Sequence, residues 1–266
     1  MDSNSSYTRY FITYRSGVLT ISGIMNVPKG AGPFSVLFLN HGYIDPEIYT
    51  NGRGLKREQD YLARQGYIVI HSDYRNHAQS DKEADPGRPD LRFGYAEDVI
   101  CAVKSFQAAG YFYADAQNVG MLGHSMGGGV AEIIAVAQPD LADAFVLFAP
   151  VSADQVDNYE KWTRNDPERQ IITEMQLGTP ENNPRLWQEA SPINYFDRVN
   201  TPIIFHHGTA DDSCALEWSQ RAAEKLRAEG KEATLYSYPG EPHEFIDAWP
   251  LVMQRTIQFF DKQLKS

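Results

Sequence analysis

The sequence predicts an α/β fold in which helices cover both faces of a mostly parallel sheet. Short apolar runs typical of buried strands alternate with segments whose apolar residues recur at helical spacing. The length of 266 residues suits one large α/β domain better than two complete ones. With 42% hydrophobic and 22% charged residues, the chain can form a core and is not of the disordered class. No repeat or linker-like run divides the sequence, which predicts a single domain over residues 1–266.

The strands are recognised as β-branched and aromatic runs that end at turn residues. A hairpin opens the chain, because two such runs meet at Ser16 and Gly17. The next run is short and apolar throughout, as in a strand that is buried on both faces. The predicted strands cover residues 10–15, 18–27, 34–40, 67–71, 118–122, 144–149, 202–206 and 233–238.

Helical patterns occupy the segments between most of these strands. A helix over residues 55–65 ends at Gly66, and the last helix begins at Pro250, a favoured residue of a first turn. Within residues 93–109, four apolar residues share one helical face: Ala96, Val99, Val103 and Phe106. Two further helices are predicted over residues 125–137 and 216–229.

One segment, residues 152–196, departs from this alternation. It is polar, contains Trp162 and Trp187, and separates two predicted strands by far more than an ordinary loop. We expect a small helical insertion over one end of the sheet. Because ligands bind at the carboxyl ends of parallel strands, the insertion is either a lid over a pocket or a surface excursion without a role in binding.

The charge of the chain argues against nucleic acid as a partner. Lys and Arg total 24 against 35 acidic residues, which gives a net charge of -11 and no basic patch. The apolar runs are far shorter than the ~20 residues that a membrane span requires, so no membrane partner is expected. Residues 1–10 lack the apolar core of a signal peptide, which favours a cytoplasmic location and leaves a secreted mature form open.

Cysteine and histidine spacing predicts no metal site. Cys101 and Cys214 are too few for a disulfide framework and are expected to be free thiols. The adjacent His206 and His207 cannot easily share one ion, because neighbouring residues of a strand point to opposite faces.

A nucleophile motif lies between the strand at residues 118–122 and the helix that follows. Residues 123–127 read Gly-His-Ser-Met-Gly, which matches G-x-S-x-G completely. Between a strand and a helix, this motif places its serine on a sharp, strained turn, where the glycines remove side chains that would clash. Ser125 is therefore the candidate nucleophile.

A serine hydroxyl needs a base, and the base needs an acid that orients it. In folds that carry this motif, the acid and then the histidine follow the serine along the chain. Of the seven histidines, only His243 follows both Ser125 and a credible acid loop. The acid is Asp211 or Asp212, which follow the strand at residues 202–206, and spacing alone does not choose between them.

Acyl transfer also needs two hydrogen-bond donors for the oxyanion of its tetrahedral intermediate. One is expected to be the backbone N–H of Met126, the residue after the nucleophile. The other is expected from Tyr43, because residues 40–43 follow an early core strand and Gly42 permits an unusual turn there. His41 is interpreted as a structural residue at the end of that strand.

These motifs resemble an α/β-hydrolase, and within that fold the catalytic domain of the prolyl oligopeptidase-like serine hydrolases. The resemblance covers roughly residues 18–260 and rests on Asn-His-Gly-Tyr at 40–43, Asp-Tyr-Arg-Asn-His at 73–77, the serine motif, and His-Gly-Thr-Ala-Asp-Asp at 207–212 followed by His243. In relatives with the last motif the first aspartate is the triad acid, which implies Asp211. Such a triad requires no metal or organic cofactor.

The departures from that family guide the expected function. Its peptidases usually carry a β-propeller ahead of the hydrolase domain, and the segment before residue 34 is too short for one. Stand-alone domains of this kind resemble carboxylesterases, including acetyl and feruloyl esterases. We therefore expect a carboxylesterase that acts through an acyl-enzyme on Ser125, with a small serine peptidase or amidase as the alternative. A binding protein on an inactive hydrolase scaffold would lack a triad member, and all three are present.

The expected partner is a small-molecule ester. Three residues at or beside the predicted oxyanion donors are expected to border the substrate pocket: Tyr43, Ile44 and Met126. Trp162 and Trp187 either line its roof, which would suit a phenolic acyl group, or anchor the core of the insertion, the interpretation that we prefer. The sequence does not determine the oligomeric state, although the insertion or an edge strand could join two subunits in a homodimer.

Overall fold

A computed structural model describes residues 4–85, 89 and 91–265, and its centre is an eight-stranded sheet. The strands are β1 (Tyr7–Ser16), β2 (Leu19–Pro28), β3 (Phe34–Asn40), β4 (Ile68–Ser72), β5 (Ala114–His124), β6 (Ala144–Phe148), β7 (Ile203–Gly208) and β8 (Ala233–Tyr238). They lie in the order β1-β2-β4-β3-β5-β6-β7-β8. The pairs β1–β2 and β2–β4 are antiparallel, and every other neighbouring pair is parallel, which confirms the predicted mostly parallel sheet.

The predicted strands are present, with shifted ends. Ser16 pairs with Leu19 across a tight hairpin turn, in which Gly17 adopts a φ of 56° that glycine tolerates without strain. β5 begins at Ala114 rather than at residue 118, because Ala114 pairs with Phe34 of β3 ahead of a register shift. The polar residues of this first part of β5 carry no apolar pattern, so the sequence did not reveal the pairing.

Helices cover both faces of the sheet, as predicted. In the described part of the chain the α-helices are α1 (Lys56–Arg64), α2 (Phe93–Ala109), α3 (Met126–Ala137), α4 (Gln155–Asn158), α5 (Pro167–Leu177), α6 (Pro184–Glu189), α7 (Leu216–Ala228) and α8 (Trp249–Leu264). Val103 of α2, Val130 of α3 and Ala223 of α7 join one apolar cluster. Leu62 of α1 and Phe260 of α8 join a second. None of the helices in the described residues is both long and apolar enough to cross a membrane.

The segment between β6 and β7 is helical, as expected for the insertion at residues 152–196. It contains α4, a π-helical turn (Tyr159–Thr163), α5, α6 and a 3-10 segment (Pro192–Arg198). Asp154 and Asp166 start α4 and α5, because each side chain accepts hydrogen bonds from backbone N–H groups of the first turn. Polar side chains thus cap the first turns of α4 and α5, whereas Asn183 ahead of α6 makes no such hydrogen bond.

The parallel strands bring the predicted site residues to one edge of the sheet. Tyr43 follows β3, Ser125 follows β5, Asp211 follows β7 and His243 follows β8. Because these four strands run in the same direction, their carboxyl ends open on the same side, where ligands bind in such sheets.

A close backbone approach fixes the start of α3 against the end of β3. A Cβ atom built on Gly127 would lie 2.0 Å from the Asn40 carbonyl oxygen, and one built on Gly123 would lie 2.3 Å from the Gly127 carbonyl oxygen. No real side chain fits at such distances, so both glycines of the nucleophile motif are required by packing.

We expect Gly127→Ala to lower the free energy of unfolding by about 3 kcal/mol or more, because backbone must move to admit the methyl group. The matched control is Gly110→Ala, where a Cβ meets nothing within 4 Å and only the left-handed backbone, with a φ of 62°, opposes the change. That control should lose about 1 kcal/mol. Chemical denaturation of both variants measures the difference, and equal losses would contradict the packing argument.

Candidate active site

Ser125 occupies the turn between β5 and α3. Its backbone angles, φ 55° and ψ -121°, lie outside the regions that non-glycine residues ordinarily adopt. The Ser125 N–H donates to the Phe148 carbonyl at 2.9 Å, and the Ser125 carbonyl accepts from the N–H groups of Gly128 and Val151 at 2.9 and 3.1 Å. Such strain persists only where the surroundings over-determine it, and it is typical of a nucleophile elbow.

The acid that faces His243 is Asp211. Its Oδ2 accepts a hydrogen bond from His243 Nδ1 at 2.7 Å, and the carboxylate is fully buried. Asp212 is exposed, and its Oδ1 accepts from the Ser213 hydroxyl at 3.3 Å. The structure therefore brings Asp211 to the imidazole, as the family resemblance implied. Because Nδ1 holds its proton toward Asp211, Nε2 is the nitrogen available to take up another.

Three further donors hold the Asp211 carboxylate. The backbone N–H groups of Ser213 and Cys214 donate to Oδ1 at 2.9 and 2.8 Å, and His207 Nε2 lies 3.2 Å from Oδ2. Burial raises the pKa of a carboxyl group, but the hydrogen bonds from His207 and His243 outweigh it and hold the pKa of Asp211 well below its usual range. Asp211 is therefore ionised at neutral pH and can orient His243.

His207 is a site residue that the sequence analysis missed. The buried ring places Nε2 3.0 Å from the Cys214 carbonyl and 3.2 Å from Asp211 Oδ2, while Nδ1 lies 2.8 Å from Ser219 Oγ. Both partners of Nε2 are acceptors, so Nε2 carries the proton and Nδ1 accepts from the Ser219 hydroxyl. The available signal was its position four residues ahead of Asp211. The sequence analysis named it as the first residue of the 207–212 motif and as a metal pair with His206, but gave it no role beside Asp211.

The loop that carries His243 is held from several sides. His124 Nε2 donates to the His243 carbonyl at 3.2 Å, and burial, aided by the charge of His243, lowers the pKa of His124 to about 4 and keeps it neutral. Arg57 donates to the Glu244 carbonyl at 2.8 Å. The buried Glu241 carboxylate accepts from two backbone N–H groups of the same loop at 2.6 and 3.0 Å. These hydrogen bonds hold the backbone of the loop that carries the His243 imidazole.

Ser125 and His243 border the same cavity. Within the described part of the chain, no hydrogen bond joins Ser125 Oγ to the His243 imidazole. This Oγ faces Cys214 Sγ at 3.9 Å. Burial and the charge of Asp211 raise the pKa of Cys214 to about 12, so the thiol is a neutral neighbour and not a competing nucleophile. Rotation about the Ser125 Cα–Cβ bond redirects Oγ, and catalytic hydrogen bonds in unliganded sites often tighten only with substrate.

The two expected oxyanion donors, Tyr43 and Met126, both border the cavity beside Ser125. Gly42 brings the loop after β3 against the elbow, since a Cβ built on it would lie 3.2 Å from Ser125 Cβ. Met126 is the first residue of α3, where backbone N–H groups have no acceptor within the helix. The role of these two residues at the oxyanion stays a prediction.

The cavity beside Ser125 and His243 has a volume of about 770 Å³, within the range of sites for small ligands. Its walls come from the carboxyl edge of the sheet and from the insertion at residues 152–196. The insertion contributes Gln155, Asn158, Tyr159, Trp162, Thr163, Arg169, Thr173 and Trp187. Of the two expectations for this segment, the structure therefore supports a wall of the cavity and not a detached surface excursion.

The predicted substrate-binding residues Ile44, Trp162 and Trp187 all border this cavity. Trp187 is also buried, and its Nε1 donates to the Gly178 carbonyl at 3.2 Å, so it anchors the core of the insertion. Trp162 packs edge-on against Trp218 of α7, with ring centroids 5.5 Å apart. The two tryptophans thus combine the roles that the sequence analysis had set against each other.

Among the described residues, one group of three side chains has potential metal-ligating atoms close together. The group is His124, His243 and Glu244, and its ligating atoms lie within 4.8 Å of one another. His243 is also the imidazole that Asp211 orients, so a cation bound there would compete with a proton for it. The arrangement fits acid–base chemistry better than a resident metal.

Serine hydrolysis requires a nucleophile, a base and an orienting acid at one place, and the carboxyl edge of this sheet brings them together in the chain order Ser, Asp, His. This order is that of α/β-hydrolases and differs from the orders in chymotrypsin and subtilisin. The protein is therefore a serine hydrolase with the α/β-hydrolase fold. Its residues 53–266 match the prolyl oligopeptidase family, peptidase S9, and the chain belongs to that family.

Similar proteins are described as peptidases. The chain is 26% identical over 245 residues to the uncharacterized peptidase YtmA of Bacillus subtilis, which covers 91% of this chain and 89% of that protein. Among solved structures, an acylaminoacyl peptidase in complex with Z-Gly-Gly-Phe-chloromethyl ketone matches with a TM-score of 0.80 and 21% identity. A puromycin-hydrolyzing peptidase of Mycobacterium tuberculosis matches with a TM-score of 0.76 and 22% identity. The matches cover 98% of this chain but only 42% and 40% of those structures, and they show the fold.

Asp211→Asn should remove a pH-dependent part of the stability. The folded pKa of Asp211 is lowered, so its carboxylate stabilises the fold above the unfolded pKa of about 3.9, and this contribution is lost as the pH falls towards the folded pKa. We expect the variant to be less stable than wild type at pH 7 and the difference to shrink below pH ~4. Urea unfolding of both proteins from pH 7 to pH 3 measures it. A difference that is constant with pH would contradict the assignment.

His207→Leu should lower kcat by about tenfold or more with a smaller change in KM, because Asp211 loses a donor that holds it in place. The control is Ser219→Ala, which leaves the His207 Nε2 proton on Asp211 and should have a smaller effect. Steady-state kinetics on the best available substrate tests this, and a wild-type kcat for His207→Leu would show that Asp211 needs no support from that ring.

Proposed function

We propose that this protein is a serine peptidase that cleaves short peptides or amides of amino acids through an acyl-enzyme on Ser125. The observation that carries the proposal is the 2.7 Å hydrogen bond between His243 and the buried Asp211 beside the strained Ser125 turn. Membership of the prolyl oligopeptidase family and the descriptions of the similar proteins favour peptide bonds as the target. These comparisons support the peptidase alternative better than the carboxylesterase that we expected from the sequence.

In the proposed mechanism, Ser125 Oγ attacks the scissile carbonyl while His243 Nε2 takes its proton. The carboxylate of Asp211 holds the imidazole in the tautomer with Nδ1 protonated and stabilises the imidazolium that forms. The backbone N–H groups of Tyr43 and Met126 bind the oxyanion of the tetrahedral intermediate. His243 then gives its proton to the departing amine, and water repeats the sequence to release the acyl group from Ser125.

The cavity favours a short substrate with an apolar side chain near the scissile bond. Phe148, Val151, Tyr159 and Trp162 contribute apolar or aromatic surface to its lining. Burying such a side chain yields roughly 25 cal/mol per Å² of apolar surface, which supplies binding energy without new charges. A volume of about 770 Å³ suits a peptide of a few residues and not a folded protein chain.

Ester hydrolysis uses the same groups, but an amine leaves less readily than an alcohol and must receive a proton. A matched pair of substrates, an acyl-dipeptide p-nitroanilide and the p-nitrophenyl ester of the same acyl group, separates the two activities. We expect turnover of both, and release of free amino acid or amine from unactivated di- to tetrapeptides detected by mass spectrometry. Hydrolysis of unactivated esters such as methyl ferulate, with every amide and peptide intact, would replace the proposal with a carboxylesterase.

Ser125→Ala should lower kcat by at least about 10⁴-fold on every substrate that the wild type cleaves, because the acyl-enzyme cannot form. The control is Ser237→Ala, a change at an exposed position of β8 that should leave kcat unchanged. Both variants should melt close to the wild-type temperature. Residual turnover within tenfold of wild type in Ser125→Ala would overturn the assignment of the nucleophile.

A further inference from the structure

The peptide unit between Gly42 and Tyr43 supplies the N–H that the proposed mechanism uses at the oxyanion. In a trans peptide unit the N–H and the C=O point in opposite directions. Gly42 and Tyr43 border the cavity, whereas the Gly42 carbonyl faces the buried ring of His41, whose Nδ1 lies 2.7 Å away. A donor fixed on this carbonyl therefore sets the direction in which the Tyr43 N–H points.

His41 has one proton to donate, and the contacts of its ring place that proton on Nδ1. Burial, followed by the nearby His71, lowers the pKa of His41 to about 3, so the imidazole is neutral. Nδ1 lies 2.7 Å from the Gly42 carbonyl, while Nε2 lies 3.4 Å from the Asp73 carbonyl. The first distance is that of a strong hydrogen bond and the second is at the weak limit. The shorter contact therefore takes the single proton.

The surroundings prevent this ring from turning. Tyr74, Tyr49 and His71 stack on it with centroid distances of 4.4, 4.9 and 5.2 Å. Tyr49 is itself held by the buried carboxylate of Asp73, which accepts a hydrogen bond from the Tyr49 hydroxyl at 2.9 Å.

The Asp73 carboxylate also accepts hydrogen bonds from Ser22 Oγ, Asn51 Nδ2 and the Gly52 N–H at 2.6, 2.7 and 2.8 Å. The donor thus sits in a rigid cage that joins the loop after β3 to the loop after β4.

We propose that His41 is a positioning residue of the oxyanion hole, which aims the Tyr43 N–H at the oxyanion by donating to the Gly42 carbonyl. The proposal deepens the proposed function and rests on it, since an oxyanion forms only in acyl transfer. His41 touches no reacting atom and acts through one peptide unit. A donor on the carbonyl also polarises that unit and strengthens the N–H at its other end. The sequence analysis had given His41 only a structural role.

Two substitutions of similar chemistry separate this role from simple packing. The amide nitrogen of His41→Asn lies where Nδ1 lies in histidine and can still donate to the Gly42 carbonyl. The amide nitrogen of His41→Gln reaches the position of Nε2 and faces the Asp73 carbonyl instead. His71→Phe is the control for the cage, because the His71 ring stacks on His41 but its nitrogens make no hydrogen bond to any described residue.

We expect kcat to fall by less than tenfold in His41→Asn and by about 30-fold or more in His41→Gln, with KM within about threefold of wild type in both. The loss of a complete oxyanion donor, about 10²- to 10³-fold, sets the upper limit. A role in packing alone predicts the reverse order, because glutamine fills more of the space left by the ring. Equal kcat values for the two variants, or a loss in His71→Phe as large as in His41→Gln, would overturn the proposal.

A spectroscopic measurement separates failure of this proposal from failure of the proposed function. The ¹⁵N shifts of the His41 ring in wild-type protein report which nitrogen carries the proton, whether or not a substrate is known. We expect protonated Nδ1 from pH 5 to pH 8. A protonated Nε2 would overturn the role of His41 and leave the serine mechanism intact. Wild-type protein without Ser125-dependent turnover on any ester, amide or peptide would overturn the proposed function and, with it, the role at the oxyanion.

Discussion

The backbone turn at Ser125 is the constraint on which the rest of the site depends. A non-glycine residue in this conformation costs on the order of 1–3 kcal/mol, and surrounding structure must offset it. Here the offset comes from backbone hydrogen bonds to Phe148 and Val151 and from the burial of α3, in which Val130 and Ile134 are inaccessible to solvent. The close contact between Gly127 and the end of β3 locks the same turn to the loop that carries Tyr43. The same backbone contact therefore positions both Ser125 and the loop that carries Tyr43.

Around this turn, buried histidines act as fixed hydrogen-bond donors while a single histidine is left for proton transfer. Burial keeps His41 and His124 neutral, so each has one proton for one backbone carbonyl. The proton on His207 Nε2 faces the carboxylate of Asp211 and the carbonyl of Cys214. Asp211 stays ionised because its donors outweigh the cost of burial. The ionised Asp211 lies buried behind His243, and His243 borders the cavity, where its Nε2 can exchange a proton in the proposed mechanism.

The insertion gives the site its substrate-facing wall. Trp162 connects this wall to α7 through Trp218, and Arg169 lies over the exposed ring of Tyr43 at 5.7 Å. The contact between Arg169 and Tyr43 thus joins the insertion to the loop that follows β3. The proposed acyl-transfer groups lie at the carboxyl edge of the sheet, and the insertion supplies a separate wall of the same cavity. The same catalytic edge could in this way serve peptides in one relative and other acyl compounds in another.

The sequence by itself determined the fold class and indicated the candidate nucleophile, because both depend on local patterns. The periodicity of strands and helices can be recognised from consecutive residues. The glycines around Ser125 are needed wherever such a turn occurs. Spacing left Asp211 and Asp212 open, the family resemblance implied Asp211, and the tertiary structure shows Asp211 against the imidazole. The support from His207 and the contact between His41 and the Gly42 carbonyl were decided only by the tertiary structure. Each depends on where a side chain points after residues distant in the chain have packed together. Spacing along the chain does not reveal where a side chain points. In a loop, the directions of adjacent side chains depend on a turn that the surrounding fold imposes.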